Sequence, residues 1–195
     1  MQHVHTLDAR SRRAVARHLL ALPAADRHLR FGAALTDRVI AEHVRMLDFR
    51  ADRVLAARGP RGRILGLAHV AVAGATADVG LSVAADARGR GLGTSLFAAA
   101  TTAARAAGCT RVAMHYLAWN HAVQRIAQRA GMRIVQDAGS ADAYLDIGAT
   151  AGTARGPADA LPSAAAARAG GAAAGGPRCL GQAEKTGYNS NLAGA

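Results

Sequence analysis

Lysine is nearly missing from this chain: Lys185 stands alone among 24 basic residues, the rest being arginine. Aromatic side chains are as scarce, with three Phe, three Tyr and one Trp in 195 residues. So few rings give bases little to stack on, which argues against a single-strand nucleic-acid platform. Only two cysteines occur, Cys109 and Cys179, far apart and without metal-type spacing. That excludes a disulfide scaffold, and a reducing, cytoplasmic setting is expected. His115, His121 and Cys109 make no recognised ligand set, so no metal is expected. No run approaches the ~18 apolar residues of a membrane span, and Met1–His5 lacks the apolar core of a secretory signal. No membrane association is expected.

Acidic residues are outnumbered, 13 against 24, which leaves a net charge of +11. Such an excess points to an anionic ligand, nucleic acid or an acidic partner. A GC-rich coding sequence yields the same balance whatever the function, and 51 Ala and 22 Gly beside the arginines fit that origin. The length suffices for one domain with a sizeable core.

What is present centres on residues 83–96, which read as a strand end, a glycine-rich turn and the first turn of a helix. Val79, Leu81 and Val83 alternate with Asp78, Gly80 and Ser82 at strand period. Leu92, Leu96 and Ala100 then recur at helical spacing. Between them lie Gly89, Gly91 and Gly93 with Arg88 and Arg90. A turn of this kind aims backbone N–H groups at one point, at the positive end of the helix dipole, and its glycines let a phosphate approach. Alone, the pattern is also that of a plain strand-to-helix turn. It is neither GxGxxG nor GxxxxGK(S/T).

Taken in order, residues 3–7 suggest a first strand and Asp8 a helix cap. Val15, Leu19 and Leu22 form one face of that helix, Arg10, Arg13 and Arg17 a solvated one, and Pro23 ends it. A loop follows, then a helix from Thr36-Asp37 with Val39, Ile40, Val44 and Leu47 inward. Residues 54–57, 64–72 and 78–83 read as a three-strand meander. Gly108 stops the helix after the glycine turn, residues 111–117 form a strand, and Asn120 caps a helix that Gly131 closes. Residues 132–135 and 143–147 suggest a final hairpin. The order β-α-α-β-β-β-α-β-α-β-β predicts an α/β sandwich on a mixed sheet. Residues 149–195, rich in Ala and Gly, read as a disordered tail, which leaves residues 1–148 as the folded domain.

At this point the chain resembles the Gcn5-related N-acetyltransferase (GNAT) superfamily, bacterial type. The element order matches over roughly residues 3–148. Arg88-Gly89-Arg90-Gly91-Leu92-Gly93 resembles the family's acyl-CoA pyrophosphate loop, R/Q-x-x-G-x-G/A, behind a strand ending at Val83. Asn120 through Gly131-Met132 resembles its second signature, an Asn, a helix and a Gly followed by an aromatic residue, here Met132. The resemblance implies a mostly antiparallel sheet of about six to seven strands with about four helices. It implies transfer of an acetyl or other acyl group from acyl-CoA, as co-substrate, to a small-molecule or protein amine, with homodimerisation common.

By the same resemblance, amides from Arg88 to Thr94, with Gly89, Gly91 and Gly93, would hold the pyrophosphate. Arg88 and Arg90 would add charge at the 3′-phosphate or the rim, and Asn120 would belong to the cofactor side. An amide near Val83 would polarise the thioester carbonyl. Asp78 sits where many members carry the general base; as a lone residue it is also an ordinary surface aspartate. His69 and His115 are other candidates for that base, or simply packed histidines. Many members carry an acidic Tyr seven residues after the Asn, but here that position is Ala127, and Tyr116 is the possible substitute. A thiol pKa of about 8.5 lets a thiolate leave unassisted, so the missing Tyr does not exclude catalysis. Two other readings stay open: a non-catalytic acyl-CoA-binding module on the same fold, and a basic nucleic-acid-binding protein supported by charge alone.

Overall fold

The structure, a computed structural model, describes residues 3–148. The tail expected over residues 149–195 lies outside the described residues. Seven strands form one sheet: β1 (Val4–Thr6), β2 (Arg53–Arg58), β3 (Ile64–Ala73), β4 (Thr76–Val83), β5 (Arg111–Leu117), β6 (Arg133–Asp137) and β7 (Ser140–Asp146). Their order across the sheet is β1-β2-β3-β4-β5-β7-β6. Every neighbouring pair is antiparallel except β4 and β5.

The helices are α1 (Arg12–Leu20), α2 (Ala24–Phe31), α3 (Asp37–Met46), α4 (Leu92–Ala106) and α5 (His121–Arg129). Helix α2 occupies what reads in the sequence as a loop. Pro23 stops α1, yet it also stands as the N-cap of α2, where a missing N–H costs nothing. Gly32, at φ 75°, closes α2 in the left-handed region. Thr36 caps α3 by accepting from the Val39 N–H, as its position predicts. The cap expected of Asp8 is not formed. A single 3-10 turn, Ala9–Ser11, precedes α1, and the Asp8 carboxylate accepts from the Ser11 hydroxyl at 3.2 Å. Arg12 instead secures α1 to α3, donating to the Arg45 and Leu47 carbonyls at 2.8 and 3.0 Å.

Helices on both faces bury the sheet twice over. Val54 and Ala56 pack under α1–α3 with Leu19, Ile40 and Val44, while Leu55 and Ala57 pack under α4 with Leu96 and Ala100. A strand buried on both sides must be apolar throughout, which is why residues 54–57 show no alternation.

The parallel pairing of β4 with β5 is brief: Thr76, Ala77 and Asp78 face Arg111, Val112 and Ala113. Beyond Asp78, β4 stays on β3 as far as Val83, while β5 stays on β7 as far as Leu117. A gap therefore opens between the C-terminal halves of the two central strands.

Candidate active site

Side chains alternate across β4, so the gap has two distinct sides. Gly66 pairs with Val83, and a Cβ on Gly66 would meet the Leu96 side chain, so that face belongs to α4. Ser82 and Gly80 face the other way, toward α1 (His18) and α2 (Arg30).

On the α4 side, the strand passes through a 3-10 turn (Ala85–Ala87) into the glycine loop. Gly89 and Gly91 take φ of 74° and 73°, a region that penalises any Cβ. Gly91 is the N-cap of α4 and no side chain caps this end. The amides of Leu92, Gly93 and Thr94 thus keep the donor capacity that a helix N-terminus leaves over. A cleft of about 320 Å³ runs past this turn, lined by Val83, Arg88, Gly89, Gly91, Gly93, Thr94 and Asn120. Seven of the eight residues expected to hold the cofactor therefore meet in one cleft. Arg90 does not line it and is exposed at the rim.

Two of these side chains already have structural duties. Arg88 pairs with Asp26 on α2 and donates to the Val83 carbonyl at 3.3 Å. Asn120 caps α5 by accepting from the Val123 N–H at 3.3 Å and donates to the Leu29 carbonyl at 3.4 Å. Both tie α2 to the walls of the cleft. Val83 itself is oriented by the ladder: the next residue, Ala84, donates its N–H to the Leu65 carbonyl on the β3 side at 2.8 Å. In an antiparallel pair the pattern alternates, so the Val83 N–H and C=O turn toward the gap.

Between the diverging strands lies a second, smaller cavity of about 40 Å³, lined by Val79, Gly80, Leu81, His115 and Tyr116, among others. Tyr116 is 7% exposed, and its hydroxyl makes no hydrogen bond among the described residues. Burial, then the charge of Asp142, pushes its pKa above the ordinary tyrosine value, so it stays protonated at neutral pH.

His115 sits on the opposite face, in line with Asp78. Its Nε2 lies 3.2 Å from Asp78 Oδ1 and its Nδ1 2.7 Å from Asp142 Oδ1. A ring with a carboxylate at each nitrogen donates from both, the pattern of an imidazolium. The hydrogen bond to Asp78, joined by that to Asp142 and opposed by burial, raises its pKa to about 9. Asp78, expected as the base, lines neither cavity and stands behind His115. His69 also lies away from both: it is buried and donates from Nε2 to Asp52 at 2.8 Å. Ala127, the position at which the sequence resemblance implies a tyrosine, is buried and offers no hydroxyl.

Under α1, His18 holds a neutral ring, its pKa lowered to about 4 chiefly by burial. Its Nδ1–H donates to the Ile64 carbonyl at 3.1 Å, so Nε2 accepts from the Ser82 hydroxyl at 2.9 Å. No group of three potential metal ligands occurs among the described residues, and no helix among them is long and apolar enough to cross a membrane.

Residues 13–132 match the sequence model of the acetyltransferase (GNAT) family. The fold is similar to that of the GNAT domain of S. lividans PAT (TM-score 0.63, 20% identity, covering 73% of this chain and 89% of that one). It is similar to a putative acetyltransferase from Salmonella typhimurium solved with its cofactor acetyl-CoA (TM-score 0.59, 16% identity, covering 78% and 97%). A ribosomal-protein-alanine N-acetyltransferase from Brucella melitensis is also similar (TM-score 0.57, 14% identity, covering 74% and 99%). No curated protein matches the chain in sequence.

Proposed function

The chain belongs to the GNAT acetyltransferase family, and from that premise we propose that it transfers an acetyl group from acetyl-CoA to a primary amine by direct attack in a ternary complex. The observation that carries this reading is the gap between β4 and β5. A cleft walled by α2 and by the helix-terminal amides of α4 opens at its end, and a smaller cavity lined by a histidine that stands between two carboxylates lies within it. The presence of acetyl-CoA in the Salmonella protein supports that donor here.

The uncapped amides of Leu92, Gly93 and Thr94, with the turn at Gly89 and Gly91, suit a pyrophosphate. Arg90 adds charge at the rim, while Arg88 acts by holding the turn against α2. The Val83 N–H, turned into the gap, suits the carbonyl oxygen of a thioester, where it would stabilise developing negative charge. Acetyl-CoA, when bound, supplies the activated acyl group.

Two protons must move, because the attacking amine has to be neutral and the departing thiolate gains a proton. Asp78 is proposed as part of the base with His115, the member of the pair that lines the gap: the ring first releases its Nε2 proton to solvent, and Nε2, beside Asp78, then takes the proton of the amine. Tyr116 Oη, buried and protonated on the α4 side, is proposed to give its proton to the thiolate.

The test is twofold on the full chain. Acetyl-CoA at a hundred times its dissociation constant should stabilise the fold by about 2.7 kcal/mol, and Gly91→Glu should abolish the shift. Thiol release should follow on adding an amine. A second reading, a non-catalytic acyl-CoA-binding module, is favoured by Ala127 and predicts the thermal shift with no thiol release on any amine. No shift with any acyl-CoA would overturn both.

A further inference from the structure

Arg30 is the one charged residue common to the linings of the two cavities. It projects from α2, so it reaches the gap from the face opposite α4. Its guanidinium lies directly on the backbone of Gly80: a Cβ built there would be 2.4–2.6 Å from the Nη and Cζ atoms. Any other residue at position 80 would push the guanidinium away, so Gly80 is the seat of this arginine. Its Cζ also lies over the Phe31 ring, 5.0 Å from the ring centre.

This cation shares the larger cleft with the α4 amides, but its guanidinium rests on Gly80, inside the gap and three residues before Val83, where the smaller cavity lies. Its chemistry is that of an anion site: permanently charged, planar and matched to a carboxylate's two oxygens. The small cavity holds only a few atoms, and Arg30 and His115 both line it. A ligand that brings an amine to His115 therefore sets the atoms next to that amine against Arg30.

Resting on the acetyltransferase reading above, we infer that the acceptor is a small amine carrying a carboxylate on or near the amine-bearing carbon, of the α-amino acid kind, with Arg30 holding the carboxylate. The same charge repels a polyamine, and a protein lysine side chain offers it no anion.

The experiment uses the full chain and pairs of probes that differ only by the carboxylate: L-phenylalanine with 2-phenylethylamine, and L-arginine with agmatine. Each is titrated calorimetrically into protein saturated with CoA, and each is assayed for thiol release from acetyl-CoA. In at least one pair the carboxylated member should bind on the order of tenfold tighter or more, because a site built for a polar group discriminates strongly against its absence. Arg30→Gln should bring the preference to about unity, and Arg30→Lys should keep part of it, since charge remains while the fork is lost. Equal or better binding by the decarboxylated member in both pairs would overturn the inference, as would a preference that survives in a folded Arg30→Gln protein. Turnover confined to the decarboxylated amines would overturn it while leaving the acetyltransferase reading intact. Failure of acetyl-CoA to raise the melting temperature would instead remove that reading, and the same paired titrations, run on the protein without CoA, would still report on Arg30.

Discussion

Arg88 and Asp26 join the glycine loop to helix α2, the loop through its first residue and the helix through its first turn. The same guanidinium holds the Val83 carbonyl. One side chain therefore fixes the end of β4, the turn and a wall of the cleft. The guanidinium of this pair is half-exposed and screened by solvent, so the pair contributes only about 0–1 kcal/mol to stability. Asp26→Asn should accordingly leave the melting temperature nearly unchanged while weakening acetyl-CoA binding several-fold, because the loop loses its tether. Calorimetric titration beside a melting curve separates the two effects.

The glycines of this region differ in what they demand. A Cβ on Gly66 would lie 2.7 Å from Leu96 Cδ1, and Leu96 is fully buried. Gly66→Ala should cost about 1–3 kcal/mol through overpacking. Around Gly91 there is open space, so Gly91→Ala should cost about 1 kcal/mol for its positive φ alone. A Cβ at Gly93 meets only the tip of the half-buried Ile126, at 2.9 Å. There the strain is offset by the better helix propensity of alanine, for a net change near zero. Urea unfolding of the three variants should give that order.

His115 couples stability and activity to alkaline pH in opposite senses. Its folded pKa, about 9, lies above the ordinary 6.5. The stabilisation is therefore complete below about pH 6.5 and is lost as pH rises through about 9. Melting temperatures of the wild type should fall across that window more than those of His115→Gln. Over the same range the thiol-release rate should climb as the ring loses its proton and can accept one. A rate profile of His115→Gln with the same limb would show that the limb belongs to the acceptor amine.

At the acid end His18 and His43 act the other way. Burial, above all, lowers their pKa values to about 4 and about 3, with Arg30 nearby adding to the effect. Each gives stability that is present above about pH 6.5 and lost as pH falls through those values, when the ring must charge in place. His43→Phe, which keeps the edge contact with Phe31, should unfold less steeply between about pH 6 and pH 3. Circular dichroism on acid titration checks this.

The glycine loop, the meander and the Asn120 cap could be read from local chemistry, because each is fixed by residues adjacent in the chain. Helix α2 could not: its eight residues offer only Leu29 and Phe31 as large apolar side chains, and Pro23 reads as a stop as readily as a start. With α2 unrecognised, neither Arg30 nor Asp26 could be placed at the cleft. Asp142 was equally hidden. It meets His115 through the β5–β7 register, which pairs residues 27 positions apart, and nothing local encodes that register. Asp78 could be assigned to the correct strand and face, but not seen to stand behind a histidine. The tyrosine missing at Ala127 was legible, and so was Tyr116 as the nearest alternative.

Tyr116 gives the sharpest separation of function from folding. A buried hydroxyl without a partner stabilises nothing, since it has given up its hydrogen bonds to water and gained none. Tyr116→Phe removes that oxygen and keeps the ring that packs in the core. Its melting temperature should therefore equal or exceed that of the wild type, by up to about 1 kcal/mol. If Tyr116 protonates the departing thiolate, kcat should fall about tenfold, less than the roughly 100-fold or more usual for a general acid, because a thiolate is a fair leaving group. An acyl donor with a more acidic thiol should recover much of that loss, since it needs no proton to depart. Unchanged kcat in a protein of unchanged stability would remove Tyr116 from the mechanism and leave solvent as the proton source.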